Sequence, residues 1–141
     1  MVSIFAALLA ALAIAAPAED RVKTLPDVNG GKEFDFEMYS GYLDVNGTSK
    51  HLHYILAESQ NDTATNPLVI WFNGGPGCSS LGGFGAENGP FVIPDGNLSF
   101  IENPNSWNKN ASVLWLEFPA GVGYSYLTDP SEAYFDDHVS S

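Results

Sequence analysis

Basic residues are scarce: five Lys and Arg stand against seventeen Asp and Glu, a formal net charge of −12 over 141 residues. Five scattered cations build no patch, which excludes phosphate-tracking contact with nucleic acid and electrostatic adhesion to anionic lipid. Cysteine occurs once, at Cys78, so no disulfide closes within this sequence. In a secreted protein an odd cysteine means a free thiol, an intermolecular bridge or a partner outside the sequence. No apolar run reaches the roughly 20 residues that a membrane-spanning helix needs. No Lys lies between Lys50 and Lys109, so the glycine-dense stretch at 74–77 is not a phosphate loop of the GxxxxGK type. The nucleophile elbow G-x-S-x-G is also missing. Its near miss is Gly123-Tyr124-Ser125-Tyr126-Leu127, where Leu127 fills a position that must be small, and Ser125 is assigned no catalytic role. Histidines number three, His51, His53 and His138. The first two lie on a predicted strand and read as packed or exposed rather than catalytic. No metal and no cofactor is expected.

What remains is enough to fold: 45% of residues are hydrophobic and 13% aromatic, outside the range of disordered chains. Ile4 to Ala16 form thirteen apolar residues, the length of a signal-peptide core of about 7–15. Small residues flank Pro17 and charge begins at Glu19, so cleavage is expected after Ala18, with residues 1–18 as signal and 19–141 as mature chain. One departure is that no Lys or Arg precedes the apolar core. Four N-x-S/T sequons follow, at Asn46, Asn61, Asn97 and Asn110, in keeping with a glycosylated lumenal product.

Arg21 to Lys32 is polar and reads as an extended lead-in. Tyr39 to Val45 alternates, Asn46-Gly47 is a strong hairpin signal, and His51 to Ala57 alternates again with Leu52, Tyr54 and Leu56 on one face. A β-hairpin over Tyr39–Ala57 follows. Leu68 to Phe72 (LVIWF) does not alternate, which predicts burial on both faces, as in a central parallel strand. Ala111 to Phe118 is similar except for Glu117, a charge interrupting the apolar run. Between them a helix is expected over Ser79–Asn88, ending where Gly89 takes a left-handed cap ahead of Pro90, with loops over Phe91–Asn110. Strand, turn, helix and strand make a βαβ-type unit, and the class is α/β. The acidic run Asp129, Glu132, Asp136 and Asp137 reads as solvated surface.

Asn73-Gly74-Gly75-Pro76-Gly77-Cys78-Ser79-Ser80 follows the apolar strand directly. Glycines bring bare N–H groups close to a ligand, and a helix start beyond them favours negative charge. Such a turn at a strand's C-terminal end suits an anion or an oxyanion. A dinucleotide loop ranks low, because Ser80 stands where the last Gly of G-x-G-x-x-G belongs. A tight turn with no ligand is the plainer alternative.

The flanking pattern decides among these. WFNGGPGCSSLGG, Trp71 to Gly83, resembles the hallmark of serine carboxypeptidases, the family of cathepsin A and the yeast vacuolar carboxypeptidase; Phe72 for Leu is the departure within it. The resemblance continues in Tyr39–Leu43, Leu52–Tyr54, Glu87–Phe91, Asn103–Asn108 and Glu117–Tyr126, covering nearly all of 24–127 in order. It implies the N-terminal portion of an α/β-hydrolase fold, a hairpin followed by a βαβ-type unit of a central mixed sheet, incomplete as it stands. It implies a serine-type carboxypeptidase that releases C-terminal residues through an acyl-enzyme at acidic pH, in the lysosomal or vacuolar lumen or outside the cell. Carried over residue by residue, the Gly75 N–H corresponds to an oxyanion-hole donor. Asn73 and the Gly74 N–H correspond to groups holding the substrate's terminal carboxylate. Glu87 corresponds to a carboxyl paired with a second glutamate beside the catalytic serine, the family's reason for an acidic working pH. Cys78 corresponds to a cysteine bridged to a much later partner. Trp71 matches a residue near the site, or equally one packed at a strand end. The family's nucleophile, triad Asp and triad His have no match here, and such domains commonly exceed about 200 residues. The sequence is therefore expected to stop before the nucleophile and to be inactive alone. An acyltransferase of the same fold and a non-catalytic truncated product are the alternatives, and peptide C-termini are the expected substrates.

Overall fold

The computed structural model describes residues 16–26, 28–94 and 99–133. Most of the expected signal segment, Asn97, His138, Asp136 and Asp137 lie outside them. The lead-in is not extended throughout: Asn29–Gly31 form a 3-10 turn with Gly30 and Gly31 at φ +65° and +77°, and the chain folds back so that the Phe34 N–H donates to the Lys23 carbonyl at 3.1 Å. Arg21 bridges to Tyr39, and the Val22 N–H donates to the Met38 carbonyl at 2.7 Å.

Strands β1 (Met38–Asp44) and β2 (Lys50–Ala57) form the expected antiparallel hairpin, in register from Met38 opposite Ala57 to Asp44 opposite His51. Gly47 turns the loop with φ +76°, a conformation that costs glycine little and other residues more. Burial on β2 is less one-sided than alternation predicts, because His53 is buried along with its neighbours Leu52 and Tyr54. The cause is the strand's interior position: β1 pairs one edge, β6 (Ser112–Leu116) pairs the other, and the 119–125 loop covers the His53 side.

The sheet is mixed, in the order β1-β2-β6-β3, where β3 is Leu68–Trp71. β3 and β6 are parallel neighbours, Leu68 opposite Ser112 through Trp71 opposite Trp115. A parallel pair requires a crossover connection, and residues 72–111 supply it, so the βαβ-type unit is present. Its helical part is shorter than expected, residues 81–87 with Gly83–Glu87 as a π-helical turn, instead of Ser79–Asn88. Ser79 and Ser80 turn their hydroxyls on nearby backbone N–H groups of Leu81 and Asn73, both at 3.2 Å, which competes with helix formation. Gly89 is not left-handed. A side chain there would run into the backbone carbonyl of Phe84, so close approach, not φ, requires the glycine. The stretch expected to be loop contains a small antiparallel pair, β4 (Phe91–Val92) and β5 (Ile101–Glu102). A final short strand, β7 (Tyr126–Leu127), pairs with Lys50 and His51 of β2.

β3 departs from expectation in burial. Leu68 and Ile70 are 60% and 51% exposed, while Val69 and Trp71 face the core. β3 ends the strand order, and among the described residues no element covers its outer face. The core itself joins Met38, Ala57, Phe84, Ala111, Val113 and Trp115. Phe84 meets Trp115 edge-on at 5.3 Å, and the Trp115 indole N–H donates to Asn88 Oδ1 at 2.8 Å. That bond lets a large ring with a polar edge be fully buried.

Candidate active site

The glycine turn leaves the sheet at the C-terminal end of β3, and both of its ends are fastened. Ser80 Oγ accepts from the Asn73 N–H and donates to the Leu116 carbonyl at 2.6 Å, joining the start of the turn, its end and the adjacent strand. Within the turn Gly77 has φ +86° and Gly75 φ +149°. A Cβ on Gly75 would lie 3.1 Å from Cys78 Sγ and 3.2 Å from the backbone nitrogens of Gly77 and Cys78. The turn is thus wound so tightly around Gly75 that no side chain fits without displacing backbone N–H groups. Gly74, Gly75 and Cys78 are all exposed.

Asn73 is the best-held side chain of the segment. Its Oδ1 accepts from the Trp71 indole N–H at 2.8 Å and the Gly83 N–H at 3.1 Å, and its Nδ2 donates to Glu87 Oε1 at 3.1 Å. Gly83 must be glycine, since a Cβ would strike the Trp71 indole nitrogen. Trp71 thereby has two jobs: it packs edge-on against Trp107 at 5.3 Å and orients Asn73. Of the residues singled out by resemblance, Asn73, Gly74, Gly75 and Glu87 lie around this one turn, and an exposed carboxylate and an oriented amide face the same side of it.

Glu117 sits deeper and had no role assigned from sequence. It is fully buried, and its carboxyl group gathers three segments. Oε1 accepts from the Ser79 hydroxyl; Oε2 accepts from the Tyr124 N–H at 2.8 Å and lies 3.0 Å from His53 Nδ1. His53 Nε2 lies 3.0 Å from Ser40 Oγ. Ser125 completes the cluster, donating to the Glu117 carbonyl at 2.6 Å and accepting from the His53 N–H at 2.8 Å. A buried carboxyl group persists only when so many donors surround it. The available signal was the charge in an otherwise apolar strand run. His53 is therefore a buried polar connector, and Ser125 a structural one. His51 is a surface pair, 2.6 Å from Asp44 and stacked on Tyr126.

Elsewhere, burial pushes the Tyr54 hydroxyl well above the ordinary tyrosine range, helped by its hydrogen bond to Asp20 at 2.7 Å. Burial, with Glu37 nearby, raises Glu58. The acidic run is more than solvated surface: Glu132 accepts from the Ser49 N–H at 2.7 Å and its hydroxyl at 3.0 Å, fastening the 129–132 turn to the hairpin loop. Among the sequons, Asn46, Asn61 and Asn110 are exposed. A hollow of about 420 Å³ between Phe34, Pro90 and Lys109 shares no lining residue with the 73–80 turn. Among the described residues no cluster of three His, Cys, Asp or Glu could hold a metal ion, and no helix is long and apolar enough to cross a membrane.

The mixed sheet thus carries a glycine turn, an oriented amide and a carboxyl group at the C-terminal end of β3. Residues 26–141 match the serine carboxypeptidase family, and the chain belongs to that family. It is 47% identical over 126 residues to the lysosomal protective protein of Mus musculus, covering 89% of this chain and 26% of that protein. With serine carboxypeptidase ctsa-4.1 of Caenorhabditis elegans identity is 51% over 127 residues, covering 90% and 26%. Among solved structures, Kex1(delta)p, a prohormone-processing carboxypeptidase from Saccharomyces cerevisiae, superposes with a TM-score of 0.55 at 29% identity over 74% of this chain and 23% of that one. The chain thus spans about a quarter of the length of these curated relatives, and its fold is part of the α/β-hydrolase architecture.

Proposed function

We propose that the protein carrying this segment is a serine-type carboxypeptidase that releases C-terminal residues from peptides through an acyl-enzyme at acidic pH. Residues 19–141 form the N-terminal part of its catalytic domain, and 1–18 a cleaved secretory signal. The Gly75 N–H donates to the oxygen that becomes negative in the tetrahedral intermediate; loss of one such donor costs about 2.7–4 kcal/mol in a well-studied protease. Asn73 and the Gly74 N–H hold the substrate's terminal carboxylate, and Glu87 takes part through a carboxyl pair. The observation that carries this reading is the fixing of Asn73 by Trp71, Gly83 and Glu87 beside a bare glycine turn. An amide held this way recognises an anion at one point in space, which selects chain ends over internal peptides.

The 141-residue chain contributes donors without a nucleophile, so by itself it turns over no peptide. Cys78 pairs with a cysteine elsewhere in the whole protein. Asn46, Asn61, Asn97 and Asn110 carry glycans, and the protein works in the lysosomal or vacuolar lumen or is secreted. The test compares an N-blocked dipeptide bearing a free C-terminal carboxylate with its C-terminal amide, using the whole protein and a serine-directed phosphonylating inhibitor. Preferential, inhibitor-sensitive cleavage of the free acid is expected. Equal cleavage of the amide, or insensitivity to the inhibitor, refutes the reading, and acyl transfer to an added alcohol in place of hydrolysis makes the protein an acyltransferase.

A further inference from the structure

We infer that Glu117 is a positioning residue for the oxyanion turn, acting through the Ser79 hydroxyl. The inference rests on the proposed peptidase reading and assigns a task to a residue that touches no substrate. The two ends of the turn share Ser80, but each also has anchors of its own. The Asn73 end is held by Trp71, Gly83 and Ser80, none of which contacts the Glu117 side chain through a described hydrogen bond. The far end runs through Cys78 into Ser79, whose hydroxyl donates to Glu117 and accepts from the Leu81 N–H. Glu117 is itself immobilised: it is fully buried, fixed by the Tyr124 N–H and His53, and a Cβ on Gly123 would collide with its carboxyl group. One rigid buried group therefore sets where Ser79 lies, and through it where the N–H groups packed around Gly75 lie.

Because Trp71 and Gly83 hold the Asn73 side chain without Ser79, a split between kinetic constants is expected. Loosening the Ser79 end moves oxyanion donors, which act in the transition state, and spares the carboxylate clamp at Asn73, which acts on binding. Ser79→Ala in the whole protein should lower kcat about tenfold or more, because small misplacement of donors is costly, and leave KM within about twofold. Ser79→Thr should restore the rate. Glu117→Gln keeps the shape. Its amide oxygen is needed by the Tyr124 N–H, so its NH₂ faces Ser79 and reverses that bond. Because the reversed bond still holds Ser79, the kcat loss should be smaller than that of Ser79→Ala, and adding Glu117→Gln to Ser79→Ala should cost no more than Ser79→Ala alone. An independent readout is amide hydrogen exchange, which in Ser79→Ala should quicken about tenfold at Gly82, whose N–H donates to the Ser79 carbonyl at 3.2 Å, while the Asn73 N–H held by Ser80 stays protected. Unchanged exchange at Gly82, or a loss that falls on KM, overturns the inference. Quickened exchange in a protein whose wild type cleaves no blocked peptide sustains the anchoring by Glu117 and refutes the peptidase reading instead.

Discussion

Replacing Asn73 separates its role as a scaffold from its proposed role as an anion clamp. Asn73→Ala strands two donors, the Trp71 indole N–H and the Gly83 N–H, which it accepts at 2.8 and 3.1 Å. At a net value of about 1 kcal/mol per hydrogen bond, the loss of folding stability is about 2 kcal/mol, independent of pH. Asn73→Asp retains both acceptor contacts but sets a second carboxylate about where Nδ2 now sits, 3.1 Å from Glu87 Oε1. Glu87 is exposed, so water screens the repulsion to about 1 kcal/mol. Two carboxylates this close hold a shared proton more tightly when folded than when unfolded. A raised folded pKa means the variant is fully stable below roughly pH 4 and loses stability as pH rises past it. Urea unfolding of the whole protein at pH 3.5 and 7, followed by tryptophan fluorescence, measures both effects. Asn73→Asp should match wild type at the lower pH and fall about 1 kcal/mol behind at the higher. Its KM should exceed that of wild type at both. A pH-independent deficit for Asn73→Asp, or an Asn73→Ala variant as stable as wild type, would refute the hydrogen-bond account of this side chain.

Three further outcomes are expected. Gly89→Ala forces backbone apart at the Phe84 carbonyl and should cost at least 1–3 kcal/mol by overpacking, whereas Gly47→Ala, in open space at φ +76°, should cost about 1 kcal/mol from backbone conformation alone; paired thermal melts compare them. Burial and Glu37 raise the pKa of Glu58, so its charged form opposes folding at neutral pH and the penalty vanishes below its unfolded value. Glu58→Gln should therefore stabilise at pH 7 and make no difference near pH 4, and a gain at pH 4 would contradict the sign. The bare face of β3, with Leu68, Ile70 and Phe72 each at least half exposed, should make the isolated 141-residue chain self-associate. Ile70→Glu should shift it toward monomer in size-exclusion chromatography.

Much of the fold was legible because its signals are local. Alternation over Tyr39–Ala57 reports a hairpin whichever neighbours it acquires, and a glycine turn after LVIWF reports a strand end with bare amides. Local signals misled where neighbours decide. The same apolar run promised burial on both faces of β3, but burial depends on what lies over a strand, and Leu68 and Ile70 are uncovered. Gly89 was legible as necessary but not for its reason, since the Phe84 carbonyl that excludes a side chain is brought there by the wide turn Gly83–Glu87.

The order of residues along the chain was sufficient to specify the hairpin, the glycine turn and the family pattern that names Asn73, Gly74, Gly75 and Glu87, all of them features read within short windows. Tertiary structure alone decided that Glu117 would meet Ser79, 38 positions away, and His53, 64 positions away. The reason is pairing: β6 lies between β2 and β3, so a carboxyl just past the end of β6 reaches the hairpin on one side and the glycine turn on the other. No window of sequence contains those neighbours, because closing such long loops is settled by which strands become adjacent in the folded sheet.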